Sequence, residues 1–167
     1  AGPYGPPDAG NRNITAAPGG GDFSANGGTL LSNYVLPTSA TGAGIIEKAT
    51  LNAIIIGKPT KTNDATTGAT LTSANYLLTG FVGGQGATIT ETVGAYNSPN
   101  AGARIVTAML GSADFVANGG TDLRNYALPL SATGAGTIAP RALTAAIIGN
   151  PTKTYDGITA ATLSSGN

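Results

Sequence analysis

Apolar and polar residues alternate over short stretches of this chain with a period of two, and no window of helical length carries an apolar stripe at i, i+3, i+4 and i+7. That pattern predicts strands at 50–56, 69–71, 76–82, 87–93, 104–110, 114–117, 125–128 and 137–148, the last long enough to run on from one unit into the next. Glycine and asparagine clusters punctuate the stretches: Gly83-Gly84, residues 97–102, Asn118-Gly119-Gly120 and residues 134–136. Asn-Gly favours the positive φ angles of tight hairpin turns, so Asn26-Gly27 and Asn118-Gly119 are expected to be such turns. Pro59 and Pro151 each follow an apolar stretch, where the missing N–H suits a sheet edge or a bulge. Short strands at this spacing predict an all-β chain of small β-sandwich (Ig-like) or β-grasp-like modules.

The alternation is itself repeated. Residues 22–29 return at 114–121, residues 39–44 return unchanged at 131–136, and residues 57–62 return at 149–154 with one change. Every match lies at an offset of 92 without a gap, and 44 of the 75 residue pairs so aligned are identical. Residues 76–92 occur once. The period divides the chain into a partial repeat at 1–50, a complete module at 51–142 and a second partial repeat at 143–167. Two arrangements are open, both elongated. The chain is a window on a longer tandem array, or the end of one chain supplies strands to the start of the next.

Composition narrows what such modules could do. Charged residues make up 10% of the chain, against roughly 25% in an ordinary soluble domain. Eight basic and eight acidic side chains cancel, so no field draws nucleic acid or an anionic membrane. No apolar run approaches the ~18 residues that span a bilayer, and no membrane span is expected. Without histidine or cysteine there is no Ser-His or Cys-His nucleophile, no disulfide and little prospect of zinc.

The remaining candidates for chemistry are thin. Glu47 is replaced by Ala139 in the second copy, and Glu91 has no counterpart, so neither is assigned as a catalytic acid. Gly57-Lys58-Pro59-Thr60 lacks the upstream glycine of a phosphate loop, and the proline blocks a following helix. Calcium at Asp114, Asp122 or Asp156 would lack the spaced acidic loop that holds it, and a Lys-Asn crosslink at Lys61 or Lys153 would need a buried lysine beside a carboxylate. No catalytic, cofactor-binding or metal-binding residue is therefore assigned. Charges present in both copies (Arg12 and Arg104, Asp22 and Asp114, Lys61 and Lys153, Asp64 and Asp156) are expected to form ion pairs or cap turns. The repeated aromatics Tyr4 and Tyr96, Phe23 and Phe115, Tyr34 and Tyr126 are expected in the core, because a chain with 5% aromatics has few large side chains to fill one.

Lys153-Thr154-Tyr155-Asp156-Gly157, followed by residues 159–163, resembles the opening of the YDG-type repeat, found in tandem in large bacterial surface proteins and filamentous-haemagglutinin-like adhesins. The resemblance continues through residues 74–80, 94–96 and 100–102 and closes at 125–128 and 137–144, covering the whole period in order. The earlier copy departs from it, reading Asn63-Asp64-Ala65 at the name-giving triplet and Lys48 in place of Pro140. The resemblance implies export to the cell surface and an extracellular structural role as stalk, spacer or fibre subunit, not enzymatic activity. Expected partners are neighbouring repeats or identical chains, joined by donated strands where the array is not covalent. A carbohydrate- or receptor-binding adhesin module that takes host or matrix glycans is the alternative.

Overall fold

The computed structural model describes residues 2–166, and strands and short 3-10 turns are its only regular elements. A first hairpin joins β1 (Gly10–Ala16) to β2 (Ala40–Ile46). There follow β3 (Ala49–Thr50), β4 (Asn52–Ile55), β5 (Thr60–Thr62), β6 (Gly68–Thr70), β7 (Tyr76–Thr79), β8 (Ala87–Ile89) and β9 (Val93–Tyr96). Then come β10 (Gly102–Met109), β11 (Phe115–Ala117), β12 (Tyr126–Ala127) and β13 (Ser131–Ala139). The chain is all-β, as the alternation predicts.

The main sheet runs in the order β6-β9-β10-β13-β4-β7, with β5 also against β13. Its long pair, β10 and β13, is antiparallel, whereas β4 and β5 run parallel to β13. Thr133 pairs with Ile54 and Thr137 with Thr60, so four steps along β13 answer six along the β4–β5 stretch. The two surplus residues are looped out at Gly57 and Lys58, both with positive φ (76° and 46°). Pro59 sits just after this bulge, and its carbonyl accepts from the Thr137 N–H at 3.0 Å.

Alternation then decides which residues are buried. In β10, Val106 and Ala108 face inward while Ile105 and Met109 face out; in β4, Ala53 and Ile55 face inward. Leu71, Tyr76, Tyr96, Ala132 and Ile138 complete that side, and Ile89 and Phe115 of the β8–β11 ribbon join the same cluster. The buried hydrophobic residues run from Leu51 to Ile138, and among the described residues none before Leu51 is buried. Tyr76 donates its hydroxyl to the Glu91 carbonyl at 3.0 Å, and burial, aided by Glu91 and Asp114, pushes its phenol up to about 12. A phenol held neutral stabilises the fold below its ordinary value of about 10, and that contribution is lost as pH climbs through 12. Tyr76→Phe is accordingly expected to flatten the loss of stability between pH 10 and 12, measured as denaturant midpoint against pH.

Three sequence expectations need correction. No strand spans 137–148: β13 ends at Ala139, and residues 140–148 have no regular structure. Pro140 removes the next ladder donor, and no neighbouring strand lies beside residues 141–148. Asn26-Gly27 and Asn118-Gly119 do lie in turns, closed by Thr29 N–H to the Asn26 carbonyl (2.9 Å) and Thr121 N–H to the Asn118 carbonyl (3.0 Å). The positive φ falls on Gly28 and Gly120, one residue later, so Asn is the first residue of a type II turn rather than the centre of a hairpin turn. Strands β1, β2, β5 and β9 were not anticipated, and residues 134–136, expected to break the chain between strands, lie inside β13, because their glycines admit neighbouring backbone rather than turn the chain.

Ala65 also has a positive φ, 63°, at the place where the later copy has Gly157 at 77°. A side chain there costs about 1 kcal/mol. Ala65→Gly is expected to raise stability by roughly that amount, less the entropy glycine adds to the unfolded chain, read as an increase in urea midpoint.

Candidate functional site

The candidate site is the free edge of β2, and it is defined by comparison with β13. The two hairpins share one register. Gly10 pairs with Ile46 and Arg12 with Gly44, just as Gly102 pairs with Ile138 and Arg104 with Gly136. Their loops are built alike. The Arg12 guanidinium donates to the Asp8 and Ala9 carbonyls (2.7 and 3.2 Å) as Arg104 does to those of Asn100 and Ala101 (2.7 and 2.9 Å). Asp22 accepts from the Gly19 N–H at 2.8 Å and Asp114 from the Gly111 N–H at 2.6 Å, capping matching 3-10 turns. The repeated charges thus do the capping expected of them.

The difference between the hairpins is cover. β13 is flanked by β4 and β5, and Gly134 lets β4 approach: a Cβ there would stand 2.7 Å from the Ile55 carbonyl carbon and closer still to its oxygen. At Gly136 a Cβ would meet the Pro59 carbonyl and the Tyr96 ring, both at 2.9 Å. Tyr96 closes this arrangement by donating its hydroxyl to the Pro59 carbonyl at 2.9 Å, while Lys61 lies 5.7 Å from its ring centre. Beside β2 there is no such strand, and nothing lies within 4 Å of a Cβ built on Gly42. The repeated aromatics report the same contrast. Tyr96 and Tyr126 are each 3% exposed, whereas Tyr4 and Tyr34 are 45% and 64% exposed. The expectation that all six lie in the core therefore holds for the second copy and fails in the first, because burial depends on neighbours that only the second copy has.

The segment after β13 is the counterpart of that missing cover. Residues 139–166 are exposed throughout. Leu143 and Ile147 project into solvent at the positions where Leu51 and Ile55 are buried. Yet the segment keeps the local shape of the covering strands: Gly149 and Asn150 have φ of 79° and 44°, matching Gly57 and Lys58. Lys153 pairs with Asp156 at 2.7 Å, as Lys61 does with Asp64. In both turns the lysine ammonium is the main reason the carboxyl lies below the ordinary aspartate range, helped by backbone N–H donors from Thr66 and Ile158. The Lys153–Asp156 turn forms without the cover that its earlier copy has from β13 and Tyr96, so its shape is local.

Little else on the molecule suggests chemistry. A cavity of about 330 Å³ lies where the first hairpin meets the covered body, lined by Pro7, Asp8, Glu47, Val82 and Tyr126 among others. Several of its polar groups are engaged: Asn125 accepts from the Ala9 N–H at 2.8 Å and donates to Asp8 at 3.0 Å, and the Tyr126 hydroxyl accepts from Val82 and bonds Gln85. Among the described residues no three acidic, cysteine or histidine side chains converge on a point. Glu91 accepts from the Val93 N–H at 2.6 Å, and Gly83-Gly84 forms a tight turn closed by Gln85 N–H to the Val82 carbonyl. No helix of the described residues is long and apolar enough to cross a membrane.

Comparison of the chain with protein-family models, with curated proteins and with solved structures returns no match.

Proposed function

We propose that this chain is part of an extracellular structural repeat of a bacterial surface protein, an adhesin or filament in which small β modules act in tandem as stalk, spacer or fibre subunit. One observation carries the reading: the same hairpin occurs twice, in the same register at the sequence offset of 92, with a covered edge in one copy and an open edge in the other. A repeated edge with a repeated covering segment is suited to a linear assembly. The resemblance to YDG-type repeats adds export and a cell-surface location to the proposal. The role is passive: strands bury their apolar faces on each other, and the sparse charges serve turns rather than a partner.

The glycan-binding alternative calls for exposed aromatics, and Tyr4, Tyr34 and Tyr155 are exposed. Two of these are the uncovered versions of core tyrosines, which favours the structural reading. Chains carrying two, three and four copies of the 92-residue period provide the test. Electron micrographs are expected to show rods that lengthen by a constant step per copy. Compact particles of no fixed axis, together with retention on a glycan array, would overturn the proposal.

A further inference from the structure

We infer that the open edge of β2 is an acceptor for residues 144–154 of a second copy of this chain, added as parallel strands in the register that β4 and β5 adopt on β13. The inference rests on the structural-repeat reading above and gives it a partner, a site and a register.

Three features point to this occupant. The first is Gly42. Glycine weakens a strand unless backbone approaches closely, and Gly42 has neither a positive φ nor any neighbour within 4 Å. Its counterpart Gly134 is the residue that admits β4. The second is the exposed apolar surface on the donor, where Ile147, with Leu143 just before the segment, is uncovered while Ile55 and Leu51 at the matching positions are buried. The third is preorganisation. The bulge at Gly149-Asn150 and the Lys153–Asp156 turn already hold the shape that lets β4 and β5 pair successively with β13.

The geometry fixes which residues meet. Transferring the observed pairs by one period places Thr41 beside Ala146, Ile45 beside Thr152 and Ile46 beside Lys153. The Thr137 N–H to Pro59 carbonyl bond becomes Ile45 N–H to Pro151, and the Tyr96 hydroxyl bond to Pro59 becomes Tyr4 to Pro151. Tyr4 is covered in the complex. Tyr34 stays exposed, because Phe81, Val82 and Gln85, which cover Tyr126, belong to the stretch that occurs once. Main-chain pairing supplies the attraction, and Ile147 supplies specificity through the space that Gly42 leaves open.

Because the chain contains no cysteine, disulfide trapping reads the register directly. Full-length Thr41→Cys and Ala146→Cys chains are mixed at roughly 1 mM, a concentration that half-fills a site of millimolar affinity, under oxidising conditions. The expected result is a cross-linked heterodimer far exceeding that from Thr41→Cys with Thr144→Cys. A two-residue slip moves the partner by about 6.6 Å along the strand, out of the ~7 Å reach of a disulfide. Adding Gly42→Val to the acceptor is expected to cut the yield by about ten-fold or more while leaving its thermal midpoint unchanged, since a parallel backbone can no longer approach. No cross-link, equal linking of the slipped pair, or a yield indifferent to Gly42→Val would each overturn the inference. Amide protection of β10 and β13 in the same samples separates the two failures. Protected strands without the cross-link defeat the donation alone, and unprotected strands defeat the repeat reading beneath it.

Discussion

Gly134→Val is expected to destabilise the chain by about 3 kcal/mol or more, whereas Gly42→Val, the same substitution one period earlier, leaves the unfolding midpoint of the dilute chain where it is. At Gly134 the added carbon lands on the Ile55 carbonyl, which is backbone and cannot rotate away. The sheet must then open between β13 and β4, losing the parallel pairing and exposing Ala53 and Ile55. At Gly42 the space is empty. Chemical denaturation of the two variants beside the parent chain measures the difference. Equal effects would mean that the sequence repeat does not correspond to one covered and one open edge.

A second contrast acts through the core. Ile138 is fully buried and pairs with Gly102 at the end of the β10–β13 ladder, while Ile46 pairs with Gly10 in the same register and is only partly covered. Ile138→Ala removes three buried carbons from a site packed on all sides, which costs about 4 kcal/mol. Set against a total stability of roughly 5–15 kcal/mol for a small domain, that leaves a chain near its unfolding threshold. Ile46→Ala has little burial to lose and is expected to cost about 0.5 kcal/mol. Denaturant midpoints at low chain concentration, where donation between copies is negligible, provide the comparison.

Both contrasts explain which features could be seen in the letters and which could not. The all-β class was legible because alternation with period two directly expresses which side of a strand meets the core, and Val106, Ala108, Ala53 and Ile55 lie where it puts them. The repeat was legible because it is identity of sequence, and the matching loops around Arg12 and Arg104 arise from it. Burial was not. Tyr4 and Tyr96 are the same residue in the same hairpin, yet only one has Pro59 and Lys61 beside it. Strand order was also hidden: an edge or bulge at Pro59 was expected, but not that two residues looped out at Gly57-Lys58 would seat both β4 and β5 parallel to β13. The continuous strand expected over 137–148 failed for the related reason that a strand needs a partner as well as a propensity. The candidate edge at β2 was therefore visible only as a repeated Gly-Ala-Gly until its covered twin was seen.

Amide hydrogen exchange on the dilute chain tests most directly the claim that one sequence builds two hairpins and shelters only one. Protection at Val106, Ala108 and Ile138 should match the free energy of global unfolding, while Ile14, Ala16 and Ile46, at equivalent places in the ladder, exchange through local opening orders of magnitude faster. Equal protection in the two hairpins would contradict it.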